Sequence, residues 1–265
     1  MLYHKDQQLI IDENSAFYLA ALSVIGDRDD QQDSFGYSLK QDEGLIVVCD
    51  GMGGHEGGKI ASELAVETFL SRYDESHLVE NQTDILIDTA KKTDAMISQL
   101  KNDDGKLINA GSTLVSIVIN RKKLIWCSVG DSRAYLLRNG EMVQLTQDQN
   151  YYTVLVEKLH AGLLDETEFQ KESDRGDALI SFLGIGNLKL IDFSGKPLEL
   201  MKDDKIVVMS DGLYKVVTDS EILRIVDNFS NIGEAVQALE MKAKKNAKSN
   251  GESRDNTTIA LIKIK

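Results

Sequence analysis

Short apolar runs separated by polar turns occupy most of the chain and predict a protein rich in β-strands. Runs of this length are typical of buried strands when turn residues bound them. The sequence Arg138-Asn139-Gly140 predicts a hairpin turn, because Asn-Gly tolerates positive φ at both turn positions. The expected strands cover residues 17–25, 34–39, 45–49, 112–120, 123–129, 134–137, 141–145, 206–209 and 259–264.

Helical spacing of apolar residues is found mainly in three segments, at residues 58–73, 83–100 and 232–246. In the second segment, Leu86, Ala90 and Ile97 recur on one side of the predicted helix. Strands and helices are grouped and do not alternate, so a doubly wound parallel sheet is not expected. The pattern instead predicts an α+β fold in which sheets are flanked by helices.

Residues 147–181 differ from the rest of the chain in their pattern of apolar and charged residues. A short helical pattern at 152–164 is followed by a polar, charged stretch at 165–177. Insertions of this kind often form surface flaps near a site, although a peripheral helical hairpin without catalytic role is an equal alternative. Since no linker is evident, we expect residues 1–265 to form a single domain that carries a flap at about 147–181.

Four aspartates lie at the ends of predicted strands. Asp50 and Asp211 are each followed by glycine after an apolar run, Asp131 follows the run that ends at Val129, and Asp255 precedes the last strand. Any one of them is typical of a turn. Four residues so far apart in sequence converge only if their strands lie side by side, and carboxylate oxygens suit magnesium or manganese. Together they predict a metal cluster.

Composition narrows the functional class. The net charge is −13, from 43 acidic and 30 basic residues, so nonspecific nucleic-acid binding is disfavoured. We find no apolar leader and no apolar stretch long enough to span a bilayer, so a cytoplasmic protein without membrane association is expected. Cys49 and Cys127 fall within predicted buried strands and are expected to be reduced core residues.

Seven short motifs resemble one known family and occur in its order. They are Asp50-Gly51-Met52-Gly53-Gly54-His55, Gly111-Ser112-Thr113, Val129-Gly130-Asp131-Ser132-Arg133-Ala134-Tyr135, Leu145-Thr146-Gln147-Asp148, Leu183-Gly184, Ser210-Asp211-Gly212-Leu213 and Asp255-Asn256-Thr257-Thr258. The set is similar to that of the metal-dependent protein phosphatases of type 2C, particularly their compact bacterial members. The resemblance extends from about Gly26 to the last strand.

The resemblance implies a four-layer αββα sandwich, with two antiparallel sheets face to face and helices outside. The metal site would lie in a cleft at one edge of the sheets. By analogy Asp50 bridges two divalent ions, and Gly51 contributes its carbonyl oxygen. Asp211 and Asp255 would complete the ligands of the first ion, and Asp131 with Asp211 would hold a third ion.

The implied function is hydrolysis of phosphoserine and phosphothreonine in proteins, through water activated at a dinuclear or trinuclear Mg²⁺ or Mn²⁺ site. Arg28 matches the arginine that binds the substrate phosphate, so Arg28, Asp50 and Asp211 are the candidate catalytic residues. The single domain would then be a phosphatase catalytic domain in a signalling pathway. Its partners would be phosphorylated proteins, including a cognate serine/threonine kinase.

Several positions depart from the family pattern. Gln32 replaces an acidic residue found in many relatives, and we expect it to join Asp33 as an outer-shell partner of metal-bound water. Met52 stands where animal members carry a histidine proposed as the general acid. His55 is a candidate for that role from its closeness in sequence alone. Gln149 departs from an Asp-His-Ser run, with an expected effect on flap contacts.

Other interpretations remain open at the level of sequence. Arg28 lies among Asp27, Asp29 and Asp30, so a local surface ion pair would also explain it. A catalytically silent relative could use the same fold as a binding module, and a two-metal hydrolase could act on nucleotides or small phosphoesters. The presence of all four candidate ligand carboxylates favours the active enzyme.

Overall fold

Two antiparallel sheets form the framework of the protein. The structure is a computed structural model and describes residues 2–3, 8–54, 56–75 and 82–265. The strands in these residues are β1 (Leu2–Tyr3), β2 (Ile10–Glu13), β3 (Phe17–Val24), β4 (Asp33–Leu39), β5 (Glu43–Gly53), β6 (Ala110–Ser112), β7 (Leu114–Asn120), β8 (Lys123–Val129), β9 (Arg133–Arg138), β10 (Glu141–Gln144), β11 (Asp192–Phe193), β12 (Leu198–Glu199), β13 (Lys205–Met209) and β14 (Thr257–Ile264).

The first sheet has the order β1-β4-β5-β7-β8-β11, with β6 paired to β5 and β12 paired to β8. The second has the order β10-β9-β13-β14-β3-β2. The α-helices are α1 (Gly57–Glu75), α2 (Gln82–Ile97), α3 (Tyr151–His160), α4 (Glu166–Glu172), α5 (Asp211–Tyr214), α6 (Asp219–Asn228) and α7 (Ile232–Asn250). None of these helices is both long enough and apolar enough to cross a membrane.

Strand β5 shows why the central apolar runs are continuous. Ile46 and Val48 pack between the two sheets, whereas Leu45, Val47 and Cys49 pack under α1 and α2. Successive side chains of a strand point to opposite faces, so a strand that is covered on both faces is apolar at every position. Cys49, like Cys127, is a buried free cysteine, as predicted.

The second sheet repeats this arrangement on its outer side. Val207 and Met209 of β13 pack with apolar residues of α6 and α7, and Ile206 and Val208 face the other sheet. The layers are therefore helix, sheet, sheet and helix. The predicted α+β fold with a four-layer αββα arrangement is confirmed.

One predicted boundary was wrong and one helix was not predicted. Strand β5 does not end before Asp50 but continues to Gly53, because Gly51–Gly53 pair with β6. The sequence analysis also missed α6, although Thr218 and Glu221 form a capping box at its start. The predicted hairpin is present, with φ values of 54° at Asn139 and 78° at Gly140.

A buried carboxylate on α2 holds the loop that follows Leu183. Asp94 accepts hydrogen bonds of 2.8–3.0 Å from the backbone N–H groups of Gly184, Gly186, Asn187 and Leu188. Burial alone would raise the pKa of Asp94, but the four backbone bonds outweigh that effect and lower it. Asp94 therefore links the helical layer to a loop that reaches the first sheet through Leu183 and Ser112.

We expect Asp94→Asn to reduce the free energy of unfolding by about 2 kcal/mol at pH 7, because an amide cannot satisfy four N–H donors as a carboxylate does. Folding lowers the pKa of Asp94, so its contribution is present above the unfolded-state pKa of about 3.9 and is lost as pH falls through the lower folded-state value. The difference between the two proteins should thus shrink in acid. Urea unfolding at several pH values measures it, with the exposed Asp88→Asn of the same helix as control.

Candidate metal centre

Asp50 lies within β5, directly opposite Asp33 in the neighbouring strand β4. Removal from bulk water raises the pKa of Asp50 well above its ordinary value, and the negative charges of Asp33 and Asp211 raise it further. Carboxylates crowded in this way repel one another and are stabilised by cations. The position of Asp50 therefore suits a ligand for a divalent metal ion.

Thr113 fixes the backbone of Asp50. The Asp50 N–H donates to Thr113 Oγ1 at 2.9 Å, and the Thr113 N–H donates to the Asp50 carbonyl at 2.8 Å. Thr113 Oγ1 is also 2.7 Å from Ser132 Oγ, beside Asp131. Two of the motifs noted in the sequence thus support the strand that carries Asp50.

Ser210 joins the two sheets beside Asp33. Ser210 Oγ donates to Asp33 Oδ2 at 2.7 Å and accepts from the Thr258 N–H at 2.9 Å. Asp33 is only 5% exposed, and its other oxygen, Oδ1, has no hydrogen-bond partner among the described residues. An unpartnered buried carboxylate oxygen is costly unless a further donor, such as an ordered water, reaches it.

Asn256 holds the loop that carries Arg28. Its side-chain Oδ1 accepts from the Gln32 N–H at 2.8 Å, and its Nδ2 donates to the Ile25 and Asp30 carbonyls at 2.8 and 3.0 Å. Arg28 Nη2 donates to Asp255 Oδ2 at 2.6 Å. Arg28 therefore pairs with a carboxylate that is distant in sequence.

Asp131 and Asp211 lie at the inner side of the same region. Asp131 is 5% exposed and follows Gly130, which makes the turn after β8 with φ of 93°. Burial and the charge of Asp211 raise the pKa of Asp131 to about 6. Asp211 begins α5, and its Oδ2 is 2.8 Å from Lys215 Nζ.

A cleft of about 490 Å³ opens where these elements meet. The sequence-predicted residues that line it are Arg28, Gln32, Asp50, Gly51, Asp211 and Asp255; Met52 is also there, and Asp33 and Asp131 are buried beside it. A larger cavity of about 930 Å³ lies elsewhere, along the β7–β8 hairpin, but among the described residues that line it the carboxylates are only Asp84 and Glu199. We therefore take the smaller cleft as the candidate site. His55 lies outside the described residues.

The carboxylate oxygens of the cleft fit hard divalent cations. In the part of the chain that the structure describes, no three Asp, Glu, His or Cys side chains already form a coordination group. Two of the aspartates are instead paired with side-chain cations, Asp255 with Arg28 and Asp211 with Lys215. A metal ion at either carboxylate would compete with these pairs. The unpartnered oxygen of Asp33 and the crowding around Asp50 favour its binding.

Sequence reasoning did not assign a role to three residues of the centre. Thr113 and Asn256 were within motifs, but their hydrogen bonds depend on strand pairing and loop path. Lys215 was not noticed, because its second partner, Asp177, belongs to the 147–181 segment. Its spacing of four residues from Asp211 on a helix was the one available signal.

Comparison with known proteins identifies the family of the chain. The family model for protein phosphatase 2C matches residues 23–246. The chain is 28% identical over 239 residues to the serine/threonine phosphatase stp of Listeria innocua. The match covers 89% of this chain and 90% of the Listeria protein. The structure of the S. agalactiae serine/threonine phosphatase matches with a TM-score of 0.81 and 27% identity, covering 94% of this chain and 100% of that one.

A second solved structure is the catalytic domain of the serine/threonine phosphatase PstP in complex with two manganese ions. It matches with a TM-score of 0.75 and 25% identity, covering 94% of this chain and 98% of that one. Sequence motifs, fold and family match thus agree over nearly the same residues. The chain belongs to the protein phosphatase 2C family and is a serine/threonine protein phosphatase similar to the bacterial Stp and PstP enzymes.

Proposed function

We propose that the chain hydrolyses phosphoserine and phosphothreonine in proteins at the Asp50 cleft, with Mg²⁺ or Mn²⁺ as cofactor. The observation that carries the proposal is the meeting of Asp50, Asp211, Asp255 and Arg28 at one cleft from four separate parts of the chain. The two manganese ions in the PstP complex support the choice of cofactor.

The proposed ligands are Asp50, the Gly51 carbonyl, Asp211 and Asp255 for two ions, and Asp131 with Asp211 for a third. Bound ions would lower the pKa of a water molecule and offset the negative charge on the phosphoryl oxygens. Asp33 is proposed to contact metal-bound water and not the metal ions themselves. Its unpartnered Oδ1 is suited to accept a hydrogen bond from a water in the cleft.

Arg28 is the proposed phosphate-binding residue. Its side chain is 57% exposed at the mouth of the cleft, so a substrate can reach it. A guanidinium can donate paired hydrogen bonds to two phosphate oxygens, and this geometry would orient the substrate phosphorus towards the carboxylates. Asn256 would keep Arg28 in place through its bonds to the loop at Ile25 and Asp30.

Gln32 and Met52 limit what else the cleft can do. Gln32 offers an amide and no charge, so it can hydrogen-bond to water but adds nothing to the negative charge that holds a metal ion. Met52 has no proton to transfer. We therefore propose that the leaving oxygen receives its proton from water, with His55 as the alternative donor.

We propose that residues 147–181 form a flap within a single catalytic domain of residues 1–265. The segment contains α3 and α4, and Ile180 N–H donates to the Gln149 carbonyl at 2.9 Å where the segment begins and ends. The Gln149 side chain accepts from the Gly130 N–H at 3.0 Å, next to Asp131. The base of the segment is thus fixed beside the proposed third-ion site, where it can contact a phosphoprotein such as a cognate kinase.

The test is release of phosphate from phosphothreonine and phosphoserine peptides with Mn²⁺ and with EDTA. Turnover that requires the metal supports the proposal. Metal binding without turnover on any phosphopeptide would favour a catalytically silent binding module. Faster release from a nucleotide or a small phosphoester would favour the other hydrolase class, and no metal binding by the folded protein would refute the site.

Asp131→Ala is expected to fold and to bind two Mn²⁺ ions but to lose at least about 90% of turnover, a cost of about 1.4 kcal/mol or more in the barrier. The reason is that Asp131 is proposed to serve the third ion only. Calorimetric metal titration and phosphate release measure the two properties separately. Turnover equal to that of the unmodified protein would remove the third ion from the mechanism.

A further inference from the structure

Lys215 places a positive charge beside the acidic centre. It caps the C-terminus of α5, one turn after Asp211, and its Nζ is 2.8 Å from Asp211 Oδ2. The same Nζ is 3.0 Å from Asp177 Oδ2 in the 147–181 segment. One ammonium is therefore shared between a proposed metal ligand and an exposed carboxylate of the flap.

Asp211, the partner of Lys215 that lines the cleft, is largely buried. The Asp211 side chain is 16% exposed and that of Lys215 is 38% exposed, so their attraction is screened less than that of a surface pair. The charge of Lys215 also acts on the buried carboxylate of Asp131 and works to lower its pKa, against burial and Asp211. The ammonium is thus in direct contact with Asp211 and acts through its charge on Asp131, the two carboxylates that the proposed function gives to the third ion.

A fixed positive charge beside a cation site lowers the affinity of that site, since it repels the incoming ion and occupies a ligand oxygen. We infer that Lys215 weakens the binding of a third divalent ion at Asp131 and Asp211, and that Asp177 moderates this effect by sharing the ammonium. The inference rests on the proposed metal centre. It assigns to this chain's own lysine the control of how many ions the centre holds.

The experiment is calorimetric titration of Mn²⁺ into the whole protein and its variants. Lys215→Met removes the charge and keeps most of the side-chain length. We expect it to bind the third ion at least about tenfold more tightly, which corresponds to about 1.4 kcal/mol. The first ion also uses Asp211 and should bind more tightly by a smaller factor, whereas the ion that Asp211 does not hold should stay within about twofold. Lys215→Arg keeps the charge and should bind Mn²⁺ like the unmodified protein.

Two further variants locate the effect. Lys263→Met removes a lysine that pairs with Asp203, at the far end of β14 from Asp255, and should leave all Mn²⁺ binding unchanged. The double variant Asp131→Ala/Lys215→Met should lose the added tight binding, because Asp131 is one of the ligands. This loss would place the gained ion at the Asp131–Asp211 pair.

Asp177→Asn provides an independent arm if Lys215→Met does not fold. Asp177 is 78% exposed, so its replacement should leave folding intact. Without the Asp177 charge, the Lys215 ammonium pairs with Asp211 alone, and we expect the third ion to bind about threefold more weakly. If Lys215→Met does fold, the same change made in that variant should alter affinity by less than about twofold, because the charge that Asp177 shares is then absent.

The outcomes separate the inference from the proposed function. Unchanged or weaker binding of the third ion in Lys215→Met, with two ions bound normally, would overturn the inference and leave the phosphatase site intact. Absence of Mn²⁺ binding by the unmodified protein would overturn both. Opposite shifts in Lys215→Met and Asp177→Asn would support the inference, because a merely structural lysine would not produce them.

Discussion

Asp211→Asn is expected to lower turnover on a phosphothreonine peptide by at least about a thousandfold, a loss of about 4 kcal/mol of transition-state stabilisation. Asp211 lies between Asp50 and Lys215, and it is the one residue that we assign to both the first and the third ion. Asparagine keeps the shape of the side chain but loses the negative charge and one acceptor oxygen. Weaker metal binding should accompany the loss of turnover.

The measurement is phosphate release with saturating Mn²⁺, together with metal titration and a circular dichroism spectrum. Asp203→Asn is the matched control, because Asp203 is an exposed aspartate whose ion-pair partner among the described residues is Lys263, near the end of β14 away from the cleft. It should retain full activity. Asp211→Asn that is folded and keeps more than about a tenth of the turnover would contradict the proposed ligand role.

Gly51→Ala is expected to destabilise the fold by about 3 kcal/mol or more and to weaken Mn²⁺ binding. The added methyl group would clash with backbone atoms, which cannot move aside as a flexible side chain can. A Cβ atom at Gly51 would lie 2.1 Å from the Gly58 carbonyl oxygen and 2.6 Å from that of Gln32. Strand β5 or the start of α1 must therefore shift. Such a shift would also move the Gly51 carbonyl that we propose as a metal ligand.

Urea unfolding and Mn²⁺ titration measure these two effects. Gly54→Ala is the control, because the same methyl group added three residues later meets no atom within 4 Å. It should change the free energy of unfolding by less than about 1 kcal/mol. Equal stability of Gly51→Ala and Gly54→Ala would show that the close approach of β5 to α1 is not a constraint on the site.

The parts of the fold that could be predicted from sequence are those set by local pattern. The continuous apolar run in β5 arises because helices cover one face and a sheet the other, and this double burial is visible in the sequence itself. The Asn139-Gly140 turn was predictable for the same local reason. The extension of β5 past Asp50 was not, because it depends on pairing with β6, a strand distant in sequence.

The candidate site was predictable in its carboxylates but not in its cations. Aspartates at strand ends mark a site because the ends of adjacent strands meet, and motif order then identified the family. The pairs of Arg28 with Asp255 and Lys215 with Asp177 depend on loop path, which periodicity does not encode. The assignment of ligands and of the general acid therefore stays a prediction, to be decided by the variants above.

The pairing of β3 with β14 has a consequence for synthesis on the ribosome. All eight residues of β3, from Phe17 to Val24, find their partners in β14, from Ile264 back to Thr257. Because β3 is synthesised long before β14, it stays unpaired along this edge until β14 is made, and during that time it is exposed to misassembly or to binding by chaperones. Asp255 precedes β14 directly, so the cleft is completed at the same late moment. The cleft would therefore stay incomplete until β14 has emerged and paired with β3.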